Sequence, residues 1–268
     1  MAPTLLITGA SEGIGKATAR VFAQHGYNVV LAAREPQRLN SVAQEISAQG
    51  GNALAVPTDV TDPQQVNTLV ERALTAYSQI DVLVNNAGIC SSGLMEKTSL
   101  EDWHKVIDVN LWGYVHTIQA LLPHFLERRA GTIVNVGSFG GKVPLPNMTL
   151  YCTSKYAITG LTETLRLELE PKGIQVCGVH PSATKTGFIK RSLFRGRDEQ
   201  ETNQRQQQMK QFIESPFASK SEDVAKAIWD VVKHPQAEVV VGTAAAATAA
   251  YRFAPGLMSW ILQRTLKA

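Results

Sequence analysis

The chain has 268 residues, of which 44% are hydrophobic and 18% are charged. This composition supports a large core and excludes a disordered, collagen-like or acidic-tail protein. The formal net charge of +3 is too small and too dispersed to predict a nucleic-acid partner.

Three widely spaced cysteines, Cys90, Cys152 and Cys177, predict neither a disulfide framework nor a zinc site, and no metal site is predicted. The first residues contain no basic region and no long apolar run, so no signal peptide is predicted. Together these features predict a reducing, cytoplasmic environment.

Short runs of Val, Ile and Leu alternate with longer amphipathic stretches, which predicts repeated βα units on a parallel sheet. The predicted strands are Leu5–Thr8, Val29–Ala33, Ala53–Val56, Val82–Val84, Thr132–Val136, Gln175–Val179 and Val239–Val241. The predicted helices are Gly15–His25, Pro36–Ala48, Pro63–Tyr77, Leu100–Asn110, Tyr114–Arg128, Leu150–Glu170 and Glu222–Lys233. Because the strand runs lack polar alternation, both faces of the sheet are expected to be covered by helices.

The chain is predicted to form one catalytic domain over residues 1–242, since no linker or repeat divides it. The stretch 185–219 is long and polar, and it is expected to be a lid. Residues 243–268 are predicted to form a C-terminal helical extension.

A glycine-rich turn follows the first strand and opens the first helix. Such a turn lets a pyrophosphate approach the backbone, and the free N–H groups and helix dipole attract its charge. An ordinary βα turn is the alternative. The predicted dinucleotide contacts in this turn are Gly9, Ser11, Glu12, Gly13, Ile14 and Gly15.

The end of the second strand usually distinguishes the two nicotinamide cofactors, because an acid there binds the ribose 2′-OH and an Arg accommodates a 2′-phosphate. Here Arg34 stands at that point without an acid at Ala33, and Arg38 follows one helical turn later. NADP is therefore predicted over NAD, although Glu12 and Glu35 place negative charge nearby.

Tyr151 and Lys155 lie four residues apart, which places a phenol and an ammonium on one face of a helix. A nearby cation lowers the pKa of a tyrosine, so Tyr151 is expected to act as a general acid or base. Ser138, at the end of the fifth predicted strand, is expected to hold a substrate oxygen. Taken alone, a Tyr-x-x-x-Lys pair is better explained as a pair on a helix surface, so the catalytic interpretation depends on the combination with Ser138.

In their order and spacing these residues resemble the short-chain dehydrogenase/reductase superfamily. The resemblance also includes Asp59-Val60, Asn85 through Gly88, Asn110, and Pro181 through Thr186. It implies a single α/β domain of the Rossmann-like, doubly wound type with a seven-stranded parallel sheet. It also implies a nicotinamide cofactor and the interconversion of carbonyl and alcohol.

The resemblance implies a role for each matching residue. Tyr151 would give a proton to the carbonyl oxygen, Lys155 would lower its pKa and hold the nicotinamide ribose, and Ser138 would position the substrate. Asn110 would anchor a water chain leading from Lys155. The remaining implied cofactor contacts are Asp59 at the adenine, Asn86 at its ribose, and Val60, Ala87, Gly88, Pro181, Thr184 and Thr186.

Two positions depart from the family pattern. Ser182 follows Pro181 where the family usually has glycine, so the backbone there is expected to be less free. Glu12 occupies a place where many NADP-using relatives carry a basic residue, which weakens the prediction of NADP.

Substrate choice is assigned to 185–219, because a loop beyond the strand ends can close over a nicotinamide. The apolar residues of its first part favour a neutral, bulky, apolar ketone or alcohol as substrate. We expect that part to be a mobile amphipathic helix with solvent-facing charges. The alternatives are a 3-ketoacyl-carrier-protein or CoA reductase whose substrate meets those cations, and a non-catalytic dinucleotide-binding regulator.

The stretch 251–268 is apolar and basic, and it needs a cover. We expect a soluble homo-oligomer, a dimer or tetramer, with this tail packed on protein. Attachment to a membrane interface is the second, less favoured hypothesis, because Trp260 and its flanking cations suit a lipid headgroup region.

Overall fold

The computed structural model describes residues 2–215 and 218–265. Its strands are β1 Thr4–Thr8, β2 Asn28–Ala33, β3 Asn52–Pro57, β4 Val82–Asn85, β5 Ser91–Gly93, β6 Gly131–Val136, β7 Ile174–Pro181, β8 Thr184–Lys185, β9 Leu193–Arg195, β10 Ser219–Lys220 and β11 Glu238–Val241. Its α-helices are α1 Gly13–Gln24, α2 Pro36–Ala48, α3 Pro63–Tyr77, α4 Leu100–Ile107, α5 Gly113–Arg128, α6 Thr149–Leu169, α7 Glu199–Glu214, α8 Ser221–Lys233, α9 Ala244–Phe253 and α10 Pro255–Thr265.

Seven strands form one parallel sheet in the order β11-β7-β6-β4-β1-β2-β3. Each of them contains one of the seven predicted strands, so the predicted Rossmann-like fold is confirmed. After β3 the chain returns to the other side of β1 and forms β4. The carboxyl ends of β1 and β4 therefore border the point where the strand order reverses, and open α/β sheets bind their ligands at that point.

Successive residues of a strand point to opposite faces of the sheet, and helices cover both of these faces. One core layer joins Leu5 and Ile7 of β1 to Phe22 of α1 and Ile228 of α8. The other joins Leu6 of the same strand to α3, α5 and α6. Burial on both faces explains why the strands are almost wholly apolar.

The predicted helix Leu100–Asn110 is wrong at its end. A π-helical turn over Asp108–Trp112 connects α4 to α5 without a break. Such a turn holds one more residue than an α-helical turn and often occurs at functional sites. A pattern with a period of 3.6 residues gives no sign of it.

The first part of the 185–219 segment is not the solvent-facing amphipathic helix that the sequence suggested. It contains a 3₁₀ turn over Gly187–Arg191 and then β9, which pairs with β5. The helix of this segment, α7, lies later, in the Gln-rich part. Where the segment leaves and rejoins the domain, β8 pairs with β10.

Residues 244–265 form two helices, α9 and α10, separated at Ala254. The predicted helical extension is therefore present, but three of its large apolar side chains, Phe253, Leu257 and Trp260, are exposed. These three side chains are therefore not covered by the chain's own domain, and packing of the tail on a partner subunit stays a prediction. No described helix has the length and apolar character needed to cross a bilayer.

Candidate active site

One cavity of about 620 Å³ lies at the carboxyl ends of the central strands. Most of the predicted site residues line it: Gly9, Ser11, Glu12, Gly13, Ile14, Arg34, Asp59, Val60, Asn86, Ala87, Gly88, Ser138, Tyr151, Lys155, Pro181, Thr184 and Thr186. Three predicted residues, Gly15, Arg38 and Asn110, are not part of its lining.

The glycine turn is shaped by close backbone contacts. Gly9 and Gly13 have φ of +66° and +55°, a region that L side chains rarely adopt. A Cβ at Gly15 would lie 2.2 Å from the carbonyl oxygen of Gly9, so only glycine lets the first turn of α1 pack this closely against the turn. Asn86 ties β4 to the same turn by donating from Nδ2 to the Thr8 carbonyl oxygen at 2.9 Å.

The amino end of α1 has no side-chain cap, because the extended N-cap residue Glu12 makes no capping hydrogen bond. The first N–H groups of a helix have no partner within the helix and carry its positive dipole end. They form an anion site at the floor of the cavity, which suits a pyrophosphate.

Glu12 points instead into a cluster of arginines. Its carboxylate forms ion pairs with Arg38, at 3.1 Å, and with Arg191 of the 185–219 segment. Arg38 also pairs with Glu35, at 3.0 Å. Arg34 lines the cavity beside this cluster and is exposed. The negative charge of Glu12, which weakened the prediction of NADP, is thus balanced by Arg38 and Arg191.

Tyr151 lies in the first turn of α6 and is buried in the wall of the cavity. Burial raises its pKa above the ordinary value, and a hydrogen bond with the Ser138 side chain partly opposes that rise. The Ser138 hydroxyl also accepts a bond from the Gly140 N–H at 3.1 Å, which fixes its position. Ser138 and Tyr151 are therefore brought together as predicted.

Lys155 is buried one turn along α6 and donates from Nζ to the carbonyl oxygen of Val136 at 3.0 Å. Burial lowers its pKa to about 8. The sequence predicted that the Lys155 cation would lower the pKa of Tyr151. In the structure the lowering contribution comes from Ser138 instead.

Asn110 is fully buried within the π-helical turn. Its Oδ1 accepts from the Ile89 N–H at 2.8 Å, and its Nδ2 donates to the Ile89 carbonyl oxygen at 2.9 Å. Nδ2 also donates to Ser154 in α6 at 2.9 Å. Asn110 therefore holds the segment after β4 against the catalytic helix, and the water chain assigned to it stays a prediction.

Ser182, which stands where the family usually has glycine, does not strain the backbone. Its φ is not in the left-handed region, so glycine is not required there. Its hydroxyl lies 3.0 Å from that of Ser219, where the 185–219 segment returns to the domain. This replacement for glycine links the two ends of the segment.

Sequence reasoning missed the apolar half of the cavity. Its wall is formed by Phe139, Leu145, Met148, Met209, Phe212, Ile213, Ala244 and Ala247. These residues come from the turn after β6, from α7 and from α9, and nothing in their local sequence distinguishes them from core residues. The contact between Glu12 and Arg191 was also missed, because the two residues lie 179 positions apart and their local sequence does not indicate a pair.

The model of the short chain dehydrogenase family matches residues 3–195. The chain belongs to this family of oxidoreductases. It is 36% identical over 242 residues to a 3-oxoacyl-[acyl-carrier-protein] reductase of Synechocystis, which covers 90% of this chain and 93% of that protein.

Solved structures agree with this assignment. A short-chain dehydrogenase/reductase from Burkholderia phymatum, solved in complex with NAD, superposes with a TM-score of 0.87 at 27% identity, covering 96% of this chain and 95% of that one. An alcohol dehydrogenase from Thermococcus sibiricus, complexed with 5-hydroxy-NADP, gives 0.77 at 27% identity, covering 91% and 97%.

Proposed function

We propose that the protein interconverts an apolar ketone or aldehyde and the corresponding alcohol with a nicotinamide cofactor, preferably NADP. One observation carries this proposal: Ser138, Tyr151 and Lys155 converge in the same cavity as an uncapped helix terminus and a glycine turn. A dinucleotide-binding regulator would have no use for that convergence.

The residues present fit a dinucleotide. The uncapped amino end of α1 suits its pyrophosphate, and Gly9 and Gly13, both with positive φ, shape the turn that lines the cavity there. Of the residues that line the cavity, we assign Asp59, Val60 and the segment Asn86–Gly88 to the adenosine side, and Pro181, Thr184 and Thr186 to the other. When bound, the cofactor supplies or accepts a hydride.

The chain's own residues handle the proton and the substrate oxygen. Ser138 donates a hydrogen bond that orients the carbonyl oxygen toward Tyr151, whose phenol is the proton donor. We assign to Lys155, which lines the same cavity and here donates to the Val136 carbonyl oxygen, the stabilisation of the phenolate that forms when the proton leaves. Asn110 and the bond from Lys155 to Val136 keep α6 in register with this site.

The preference for NADP rests on Arg34, which lines the cavity at the end of β2. Arg38 and Arg191, in the same region, pair with Glu12 and Glu35 and so offset the two carboxylates. A guanidinium is well suited to a 2′-phosphate because it offers paired donors in one plane.

The substrate is assigned to the apolar half of the cavity, and the 185–219 segment is proposed as its lid. A 3-oxoacyl thioester is a second candidate, favoured by the relative from Synechocystis. However, two of the five cations in the first part of the lid that could recognise a carrier, Arg191 and Arg195, already pair with Glu12 and Asp102. A neutral apolar substrate therefore fits better.

A panel of ketones, aldehydes and alcohols tested with NADPH and NADH, with acetoacetyl-CoA included, tests this function. We expect turnover of bulky apolar ketones, faster with NADPH than with NADH. Cofactor binding without turnover of any carbonyl would favour the regulator, and selective reduction of acetoacetyl-CoA would favour the thioester reductase.

We also propose a homo-oligomer that uses α5 and α6. Leu126 of α5 and Tyr156 and Leu167 of α6 are exposed apolar side chains on these two helices. Light scattering of the wild type and of Leu167→Glu tests this assembly, since a charge at a subunit interface should shift the mass toward the monomer.

A further inference from the structure

Three large apolar side chains of the C-terminal helices are exposed. In α10, Leu257 and Trp260 are 59% and 50% exposed, whereas Met258 and Leu262 are half-buried. Leu257, Trp260 and Arg264 are spaced three and four residues apart and are all exposed, so they share one exposed side of α10. Phe253 at the end of α9 is 87% exposed. We call Phe253, Leu257, Trp260 and Arg264 the tail face.

The tail segment itself carries charge of one sign, although its Arg252 interacts with the Glu238 carboxylate of β11. Residues 243–268 contain no Asp or Glu, and their three cations are Arg252, Arg264 and Lys267. The guanidinium of Arg264 lies 3.7 Å from the centroid of the Trp260 ring. A tryptophan beside an arginine, with leucine on the same helical face, is the composition of a helix that lies in the headgroup region of a bilayer.

The tail face adjoins the active-site cavity. Thr243, Ala244 and Ala247, in and just before α9, line that cavity, and so does Phe212 of α7, which is exposed. The helix that forms part of the cavity wall thus continues directly into the tail face. A partner seated on the tail face would lie beside this wall.

We propose that the tail face binds the surface of an anionic membrane. Charge complementarity favours lipid over a second copy of this chain, because tail-to-tail packing would bring like-charged arginines together. Resting on the proposed function, the substrate is then a lipophilic ketone or alcohol that partitions into the bilayer and enters between α7 and α9.

Co-sedimentation of the full chain with vesicles tests this proposal. The vesicles are phosphatidylcholine alone and an equimolar mixture of phosphatidylcholine and phosphatidylglycerol. We expect binding to the mixture, weakened by high salt. Leu257→Ser/Trp260→Ser should abolish binding, and Arg252→Gln/Arg264→Gln should weaken it by about fivefold per cation removed. Leu100→Ser and Arg72→Gln, at exposed positions elsewhere, are the matched controls and should bind like the wild type.

Three results would overturn the proposal: no sedimentation with either vesicle, equal sedimentation of wild type and tail-face variants, or a dimer in light scattering that Leu257→Ser/Trp260→Ser dissociates without any vesicle binding. The last result would show that a second copy covers the tail face. Sedimentation does not depend on turnover, so a protein that binds vesicles but reduces no carbonyl would contradict only the proposed function.

Discussion

The carboxylate of Glu12 forms an ion pair with Arg191, which lies 179 residues further along the chain. Glu12 is the N-cap residue of α1, and Arg191 ends the 3₁₀ turn of the 185–219 segment. The contact joins the turn that suits a pyrophosphate to the segment that we propose as the lid. It also occupies an arginine that a 2′-phosphate could otherwise use.

Glu12→Gln should therefore strengthen NADPH binding by about threefold to tenfold, because it removes a negative charge and releases Arg38 and Arg191. NADH binding should change little. The free energy of unfolding should fall by less than about 1 kcal/mol, since these pairs are partly exposed. Cofactor titration by fluorescence measures both affinities, with Glu71→Gln as the control. Weaker NADPH binding by Glu12→Gln would show that the carboxylate positions the arginines for the phosphate.

Arg34→Ala should move the preference from NADPH toward NADH. Arg34 lines the cavity at the end of β2, and loss of a charge-assisted bond to a phosphate costs about 1.5–3 kcal/mol, or roughly tenfold or more in affinity. Steady-state constants with both cofactors check this, with Arg72→Ala as the matched exposed arginine. An unchanged ratio in Arg34→Ala would make this residue a surface cation only.

Tyr151→Phe should abolish carbonyl reduction and leave cofactor binding nearly intact, because it removes the proton donor and keeps the buried ring. Tyr156→Phe is the matched control, since Tyr156 lies on the same helix but does not line the cavity. Substantial remaining turnover in Tyr151→Phe would refute the assigned role.

Asn110→Ala should lower the free energy of unfolding by about 2–4 kcal/mol, because the N–H and carbonyl groups of Ile89 lose their partner in a buried place. Urea denaturation measures the change. Asn67→Ala, at an exposed position of α3, should stay within about 0.5 kcal/mol of the wild type. Equal effects of the two substitutions would contradict the bridging role of Asn110.

His180, buried in β7, should make the protein sensitive to acid. Burial lowers its pKa from 6.5 to about 4, so between these values the unfolded chain binds more protons than the native one. Its contribution to stability is complete above pH 6.5 and is lost as the pH falls toward 4. His180→Gln should show a flatter decline than the wild type, by up to about 1.4 kcal/mol per pH unit. Denaturation at several pH values measures this, and His234→Gln, at an exposed position, should decline like the wild type.

The sheet was predictable because a strand buried on both faces leaves a short, almost wholly apolar run, as in Val82–Val84. The convergence of Ser138 and Tyr151 was predictable because Ser138 follows β6 and Tyr151 lies in the first turn of the next helix, α6. Both therefore lie at the carboxyl edge of the sheet. The contact of Glu12 with Arg191 was not, because a pair so distant in sequence depends on how a long segment folds back. The π-helical turn at Asn110 was missed because one extra residue leaves no mark in an otherwise helical pattern.

The parallel pairing of β8 with β10 brings Lys185 and Lys220 into register as neighbours, at a spacing of about 4.8 Å between strands. The segment therefore leaves the domain at β8 and returns at β10, on two strands that lie side by side. We expect residues 186–219 to be exchangeable: a segment of another length, taken from a relative, could be grafted between these two lysines while β7 and α8 keep their places. Chimeras made at this junction should transfer substrate preference, and because Thr186 and Arg191 are exchanged with the segment, they should also change the contacts around Glu12.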